Sequence, residues 1–463
     1  MIMDTDEGKV AKNVPEPPAV TPEEGVEVAD STEKEIVSKK PFRLAEEYWD
    51  TLGPGLTTGA ADDDPSGIAT YSQAGAQYGL QLLWLALFSF PLMAAIQEMC
   101  ARIGLVTGRG LAANIKEHYS PWILYSCATL LFAANTFNLG ADLGAMAKAT
   151  QLLAPAASFA LLVMGFALVS LLLQIFTTYA RYAKYLKYLA LILFSYVLSA
   201  LVIHLDWHQV ALRTIIPSIT FSRDQILLIC AILGTTISPY LFFWQTSQEV
   251  EEEILNGKTT LEQRKRETSP REIKDMRTDI WSGMGLSNLI MFFIIVACAA
   301  TLFAHGITNI GTADQAAEAL RPLAGEFAFL LFTLGIVGTG LLAVPVMAGS
   351  TSYALSESFG WKHGLHKKLG EAYSFYGVII ISMLLGLTMN FVHIDPIKAL
   401  IYAAVANGLV APVVLVLIVR ISSNRGLMGQ YTNNSVTTWT GWATIILMIV
   451  SDIAVIALLF FPN

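Results

Sequence analysis

The sequence predicts an all-α polytopic membrane protein, and three observations carry that prediction: the composition, a series of long apolar segments, and the placing of Lys and Arg between them. Of 463 residues, 54% are hydrophobic and 14% charged, with a mean hydropathy of +0.53. A soluble domain is about a quarter charged. A helix crosses the hydrocarbon core with about 20 predominantly apolar residues, so the chain has room for many passes. The formal charge of −8 does not identify a partner, because many of the acids sit in the amino-terminal stretch, as at Asp4, Asp6, Glu7, Glu33 and Glu35.

Residues 1–41 are rich in Pro, Glu, Val and Lys and lack both an apolar run and the hydrophobic stretch of a signal peptide. They are expected to form a disordered cytosolic tail ahead of a membrane domain spanning 42–463. Apolar segments then fall near 50–79, 80–104, 121–147, 156–177, 184–204, 223–248, 279–304, 324–355, 372–392, 396–420 and 440–461, which predicts eleven transmembrane helices. Cys100, Cys127, Cys230 and Cys298 lie inside these runs without metal or redox spacing and are expected to pack in the core with no disulfide.

Cytoplasmic connections of a membrane protein carry the excess of Lys and Arg. With the amino terminus inside, those connections hold Arg102, Arg109 and Lys116; Arg181, Lys184 and Lys187; seven bases from Lys258 to Arg277; Lys362, Lys367 and Lys368; and Arg420 and Arg425. The external ones hold only Lys148, Arg213, Arg223, Arg321 and Lys398. This alternation places the carboxyl terminus, 461–463, outside. The expected location is the plasma (inner) membrane. The charged stretch 251–277 reads as a solvated connector.

Two apolar segments contain a proline among small polar residues at membrane depth: Asp62-Asp63-Asp64-Pro65-Ser66-Gly67 in the first, and Thr235-Thr236-Ile237-Ser238-Pro239-Tyr240 in the sixth. Five passes separate them. An odd offset reverses the sense of the second copy, the mark of a 5+5 inverted repeat, here about 45–205 and 223–421 with an extra helix at about 440–461. Interrupted backbone is tolerated in the hydrocarbon core only where protein or a water-filled cavity satisfies it. Carbonyls freed near Ala61 and Thr235 beside a carboxylate make a set of hard oxygen donors suited to a small cation. Asp64, directly before the proline, is the strongest ligand candidate. Adjacent residues point in different directions, so Asp62 and Asp63 either join the site, face an aqueous vestibule or cap the broken end. Glu98 and Asp142 line an ion pathway, relay protons or bond a neighbouring helix. The seven histidines (His118, His204, His208, His305, His363, His366 and His393) fall in loops or near helix ends.

The stretch Gly53-Pro54-Gly55, then Asp64 to Gly79, resembles the first helix of the NRAMP family of divalent metal transporters, and Gln97 with Ala101 to Gly108 resembles its second. The resemblance implies a LeuT-type bundle with broken helices 1 and 6. It also implies a metal site built from an Asp-Pro-Gly-Asn motif and an Ala-x-x-Met-Pro-His motif. Here Asp64 and Pro65 match, the Asn position falls on Gly67, and the Ala, Met and His positions fall on Thr235, Ser238 and Tyr240. The implied metal site is therefore Asp64, Ala61, Gly67, Thr235, Ser238 and Tyr240, with Asp63 beside them.

Replacing a thioether by a hydroxyl removes the preference for softer metals. Two smaller side chains also enlarge the pocket. An all-oxygen pocket with few direct ligands suits Mg²⁺, which dehydrates reluctantly, with Mn²⁺ also accepted. The altered motifs resemble the magnesium-transporting branch related to that family.

The family's helix-3 acid falls on Asn138 and a helix-6 His on Gln245, and 372–392 holds no arginine. Proton coupling is therefore not expected, and the metal is cargo, with no cofactor. No nucleic acid or obligate protein partner is expected beyond the bilayer. The alternative is a proton-coupled Mn²⁺/Fe²⁺ transporter with other ligands such as Asn407. An amino-acid carrier is disfavoured by the acids at the break, and an enzyme by the absence of a Ser/His or His-Glu-x-x-His arrangement. A metal-sensing receptor rests only on the tail and the charged stretch.

Overall fold

A computed structural model of the chain describes residues 46–203, 205–392 and 396–460. The packing gathers Thr51–Asn463 into one compact unit; of the other, Met1–Asp50, only the helical residues 46–50 are described. The expected tail 1–41 and the carboxyl end 461–463 lie outside the described residues, as do His204 and His393.

The first segment is two helices, α1 (Pro54–Asp62) and α2 (Pro65–Tyr78). There follow α3 (Trp84–Thr107), α4 (Leu111–His118), α5 (Pro121–Leu153), α6 (Phe159–Phe176), α7 (Tyr179–Leu189), α8 (Phe194–Leu201) and α9 (Trp207–Ile215). The second half holds α10 (Arg223–Thr236), α11 (Pro239–Leu255), α12 (Leu261–Arg266), α13 (Pro270–Thr301), α14 (Ala313–Phe359), α15 (Tyr373–Met389), α16 (Pro396–Ser422), α17 (Arg425–Met428) and α18 (Ser435–Phe460). There is no strand among the described residues.

Length and composition give eight helices able to cross a membrane among the described residues, or nine if the bent pair Val410–Ser422 and Arg425–Tyr431 is one span. The expected eleven exceed this for identifiable reasons. The first segment is divided at its break, the ninth is the 17-residue α15, and the tenth qualifies only as part of that bent pair.

The two breaks share one device. Proline fixes φ and is suited to the first turn of a helix, while the residue before it is driven out of the α region. Asp64 is extended (φ −66°, ψ 165°) before Pro65 starts α2, and Ser238 is extended (φ −87°, ψ 130°) before Pro239 starts α11. The residues closing the preceding helices also match: Asp63 at φ −84°, ψ 49° and Ile237 at φ −111°, ψ 60°.

α1 and α2 both lie on α13, and α5 packs against α14, α15 and α16. Glycine makes the first contact possible. A Cβ at Gly59 would overlap the Gly283 carbonyl, and one at Gly283 would overlap the Gly55 carbonyl. The backbones of α1 and α13 therefore touch directly. At the periphery, α6 exposes Leu161, Leu168 and Phe176, and α18 exposes Trp439, Ile446 and Ile453, as lipid-facing helices should. All four cysteines are buried and free.

Candidate functional site

Asp64 is both the start of α2 and the acid of the break. Its Oδ1 accepts from the Gly67 amide at 2.7 Å and from the Ser66 hydroxyl at 2.6 Å. An N-cap carboxylate satisfies amides that the first helical turn leaves free. Both bonds converge on Oδ1. A Cβ at Gly67 would sit 3.3 Å from the Asp62 carbonyl and 3.4 Å from Asp64 Oδ1, so the glycine opens space directly at the carboxylate.

The other expected donors lie around the same pair of breaks, but several are already engaged. The Ala61 carbonyl accepts the Tyr240 hydroxyl at 2.8 Å, and the Tyr240 carbonyl accepts the Ser350 hydroxyl at 2.5 Å. Ser238 donates to the carbonyls of Thr235 (2.7 Å) and Gly234 (3.0 Å), while Thr235 donates to Ile232 at 3.0 Å. The hydroxyl oxygens of Ser238 and Thr235 thus keep lone pairs for another partner. Tyr71 and Thr236 face each other at 3.4 Å, joining α2 to α10.

Asp62 and Asp63 are not at an open vestibule: they are 1% and 0% exposed. Asp62 Oδ2 accepts from Ser287 at 2.9 Å, whereas Asp62 Oδ1 and both oxygens of Asp63 have no hydrogen-bond partner. Capping falls to Asp64 instead. Among the described residues no three His, Cys, Asp or Glu side chains converge to hold a metal. An ion here would be held by one or two carboxylates with hydroxyls, carbonyls and water. That is hard-donor chemistry of the kind Mg²⁺ uses.

Glu98 is pinned. Its Oε1 accepts from Arg277 at 2.9 and 3.0 Å and from Arg102 at 3.3 Å, and its Oε2 accepts the Trp281 indole at 2.8 Å. Of the three roles open to it, the geometry fits interhelical bonding. Asp142 differs: it is 1% exposed and both of its oxygens lack a partner. Asn138 and Gln245 are buried neutral groups, and Asn407 is buried with its Oδ1 unpartnered.

Three acids escaped the reading of the sequence. Asp279 on α13 accepts from the amides of Gly53 (2.8 Å), Gly55 (2.6 Å) and Leu56 (2.9 Å), capping α1. No local signal announces this, since the partners are more than 220 residues apart. Glu249 accepts from Gln245 at 2.8 Å, a pair legible in the i, i+4 spacing. Glu251 gathers the Tyr353 hydroxyl (2.6 Å), the Leu365 amide (2.8 Å) and His366 Nδ1 (2.7 Å). The stretch 251–277 is therefore not a plain solvated connector. α11 runs on to Leu255 with Glu251 and Glu253 buried, and α12 opens on a Thr260/Gln263 capping box.

Residues 55–458 match the family described as natural resistance-associated macrophage protein-like, Nramp. The chain belongs to the Nramp family. Among its Nramp relatives, the divalent metal cation transporter MntH of Deinococcus radiodurans is 27% identical over 405 residues, covering 86% of this chain and 87% of that one. The MntH of Acidiphilium cryptum is 26% identical over 396 residues, covering 83% and 85%. A solved manganese transporter of Eremococcus coleocola superposes with a TM-score of 0.70 at 19% identity, covering 91% of this chain and 89% of that one, and so shares the fold.

Proposed function

We propose that the protein carries a divalent metal cation across the membrane, chiefly Mg²⁺ with Mn²⁺ also accepted, through a site at the paired breaks. The observation that carries this reading is the arrangement around Asp64. One carboxylate stands at a Pro-made break, facing a second such break whose family thioether position is the hydroxyl of Ser238. Asp64 supplies the charge, and Ser238, Thr235 and water supply neutral oxygens. Tyr240 holds the Ala61 carbonyl. Gly67 leaves room for an ion that keeps part of its water shell. Asp63 contributes negative potential from behind.

We take the amino terminus as cytoplasmic, the carboxyl terminus as external, and the two repeats as about 45–205 and 223–421. Transport is not coupled to protons in this reading. An inward-negative potential favours entry of a divalent cation by about 4.6 kcal/mol per 100 mV, twice the single-charge value. A second reading is proton-coupled Mn²⁺/Fe²⁺ transport through other ligands, for which Asn407, buried with its Oδ1 unpartnered, is the candidate. Competition separates the two. Mg²⁺ uptake into proteoliposomes that Mn²⁺ inhibits only at comparable concentration supports the first, and Mn²⁺ uptake indifferent to excess Mg²⁺ supports the second.

A further inference from the structure

Beside the first break lies a cavity of about 260 Å³ lined by Pro65, Ser66, Asp142, Lys148, Thr312 and Asp314, among others. Its polar groups are unspent. Both oxygens of Asp142, Oδ1 of Asp314 and the Thr312 hydroxyl are buried without a hydrogen-bond partner. Asn390, also on the wall, instead donates to the Gly140 carbonyl at 2.8 Å. Lys148 forms an ion pair with neither acid.

A carboxylate as buried as Asp142 is costly while it lacks a counter-charge. The cavity offers space to bring one. A buried water needs on the order of 10–15 Å³, so an ion can enter with its water shell intact. Among the described residues no three acidic or imidazole side chains meet closely enough to strip that shell. Pro65 and Ser66 on the wall directly follow Asp64 in the chain, so the cavity abuts the site.

We propose that this cavity is an antechamber that captures a hydrated divalent cation between Asp142 and Asp314 and passes it to Asp64. Lys148 is the tethered cation that competes for the same charge. The antechamber rests on the Asp64 reading and on the orientation that places Lys148 outside. It selects for charge and not for metal type, because it contacts the ion through water.

The test is the concentration dependence of Mg²⁺ uptake into proteoliposomes at low ionic strength. A cleft lined by one charge sign raises local ion concentration by roughly 10- to 1000-fold, and Lys148 offsets part of that effect here. Asp142→Asn and Asp314→Asn should therefore each raise KM by roughly tenfold, the lower end of that range, while the maximal rate falls far less. Lys148→Met should lower KM. The differences should shrink as choline chloride is added.

Unchanged KM in both acid variants, or a fall in maximal rate alone, overturns the proposal. Should Asp142→Asn fail to fold, the opposite signs of Asp314→Asn and Lys148→Met still decide. Asp64→Asn, measured in parallel, separates the two readings: wild-type flux there removes the central site, whatever the antechamber variants do. If the wild type carries no Mg²⁺, the same series run with Mn²⁺ tests the antechamber alone.

Discussion

The Tyr240 hydroxyl donates a 2.8 Å hydrogen bond to the carbonyl of Ala61, 179 residues away in the chain. It ties the end of α1 to the first turn of α11, so the carbonyl freed by one break is held by the helix that follows the other. A metal using Ala61 directly takes the carbonyl's second lone pair and shares the oxygen with the tyrosine.

Tyr240→Phe is expected to leave that carbonyl unpaired. A buried polar group without its partner costs about 1–3 kcal/mol, so the variant should melt earlier in detergent. The freed carbonyl also becomes a direct ligand. Uptake should shift towards Mn²⁺ relative to Mg²⁺, because an ion that sheds water readily gains more from it. An unchanged Mn²⁺/Mg²⁺ ratio would show that Ala61 is remote from the ion.

Asp279→Ala removes three buried backbone hydrogen bonds from the start of α1. Hydrogen bonds to charged groups contribute roughly 1.5–3 kcal/mol each, so a loss on the order of 3 kcal/mol or more is expected. Thermal unfolding with and without the substitution measures it. A melting temperature equal to wild type would mean that the cap adds nothing to the packing of α1 on α13.

Ser238→Met with Gly67→Asn is expected to move selectivity towards Mn²⁺ and Cd²⁺. The thioether restores a soft donor, and the amide fills space at Asp64. The Cβ at position 67 is tight but tolerable, at 3.3 Å or more from its neighbours. Competition by Cd²⁺ against Mg²⁺ uptake reads the effect. Unaltered Mg²⁺ preference in the double variant would count against both donor softness and pocket size.

Metal uptake is expected to leave luminal pH unchanged in vesicles held at a negative potential. Asn138 and Gln245 are neutral, and Glu98 is locked by Arg102 and Arg277. Glu249 and Asp142 are the groups to watch. A trapped pH-sensitive dye reports the outcome. Metal-dependent acidification that vanishes in Glu249→Gln or Asp142→Asn would reveal a relay displaced along its helix.

The breaks at Asp64 and Ser238 were legible because proline acts locally: it dictates the backbone before and after it wherever the chain folds. Asp64 as the cap was not: the sequence offered that role to Asp62 and Asp63, and the structure gives it to Asp64. What stayed hidden depends on distant partners. Nothing near Asp279 says that it will meet Gly53, and nothing near Glu251 says that Tyr353 and Leu365 will surround it, so a run of charge read as solvated turned out partly buried. Each expected apolar segment is helical among the described residues, but length and composition admit eight or nine of them as spans, because the first is divided at its break and α15 is short.

The central claim is that Asp64 supplies the charge that binds transported Mg²⁺, and one comparison tests it: Mg²⁺ influx into proteoliposomes for the wild type and Asp64→Asn. Asparagine caps a helix about as well as aspartate, so α2 should still start at Pro65 and the protein should fold. Only the charge is lost. Robust Mg²⁺ influx is expected in the wild type and near-background influx in a folded Asp64→Asn protein. Wild-type influx in that variant, or none in the wild type under conditions where Mn²⁺ flows, would contradict the claim.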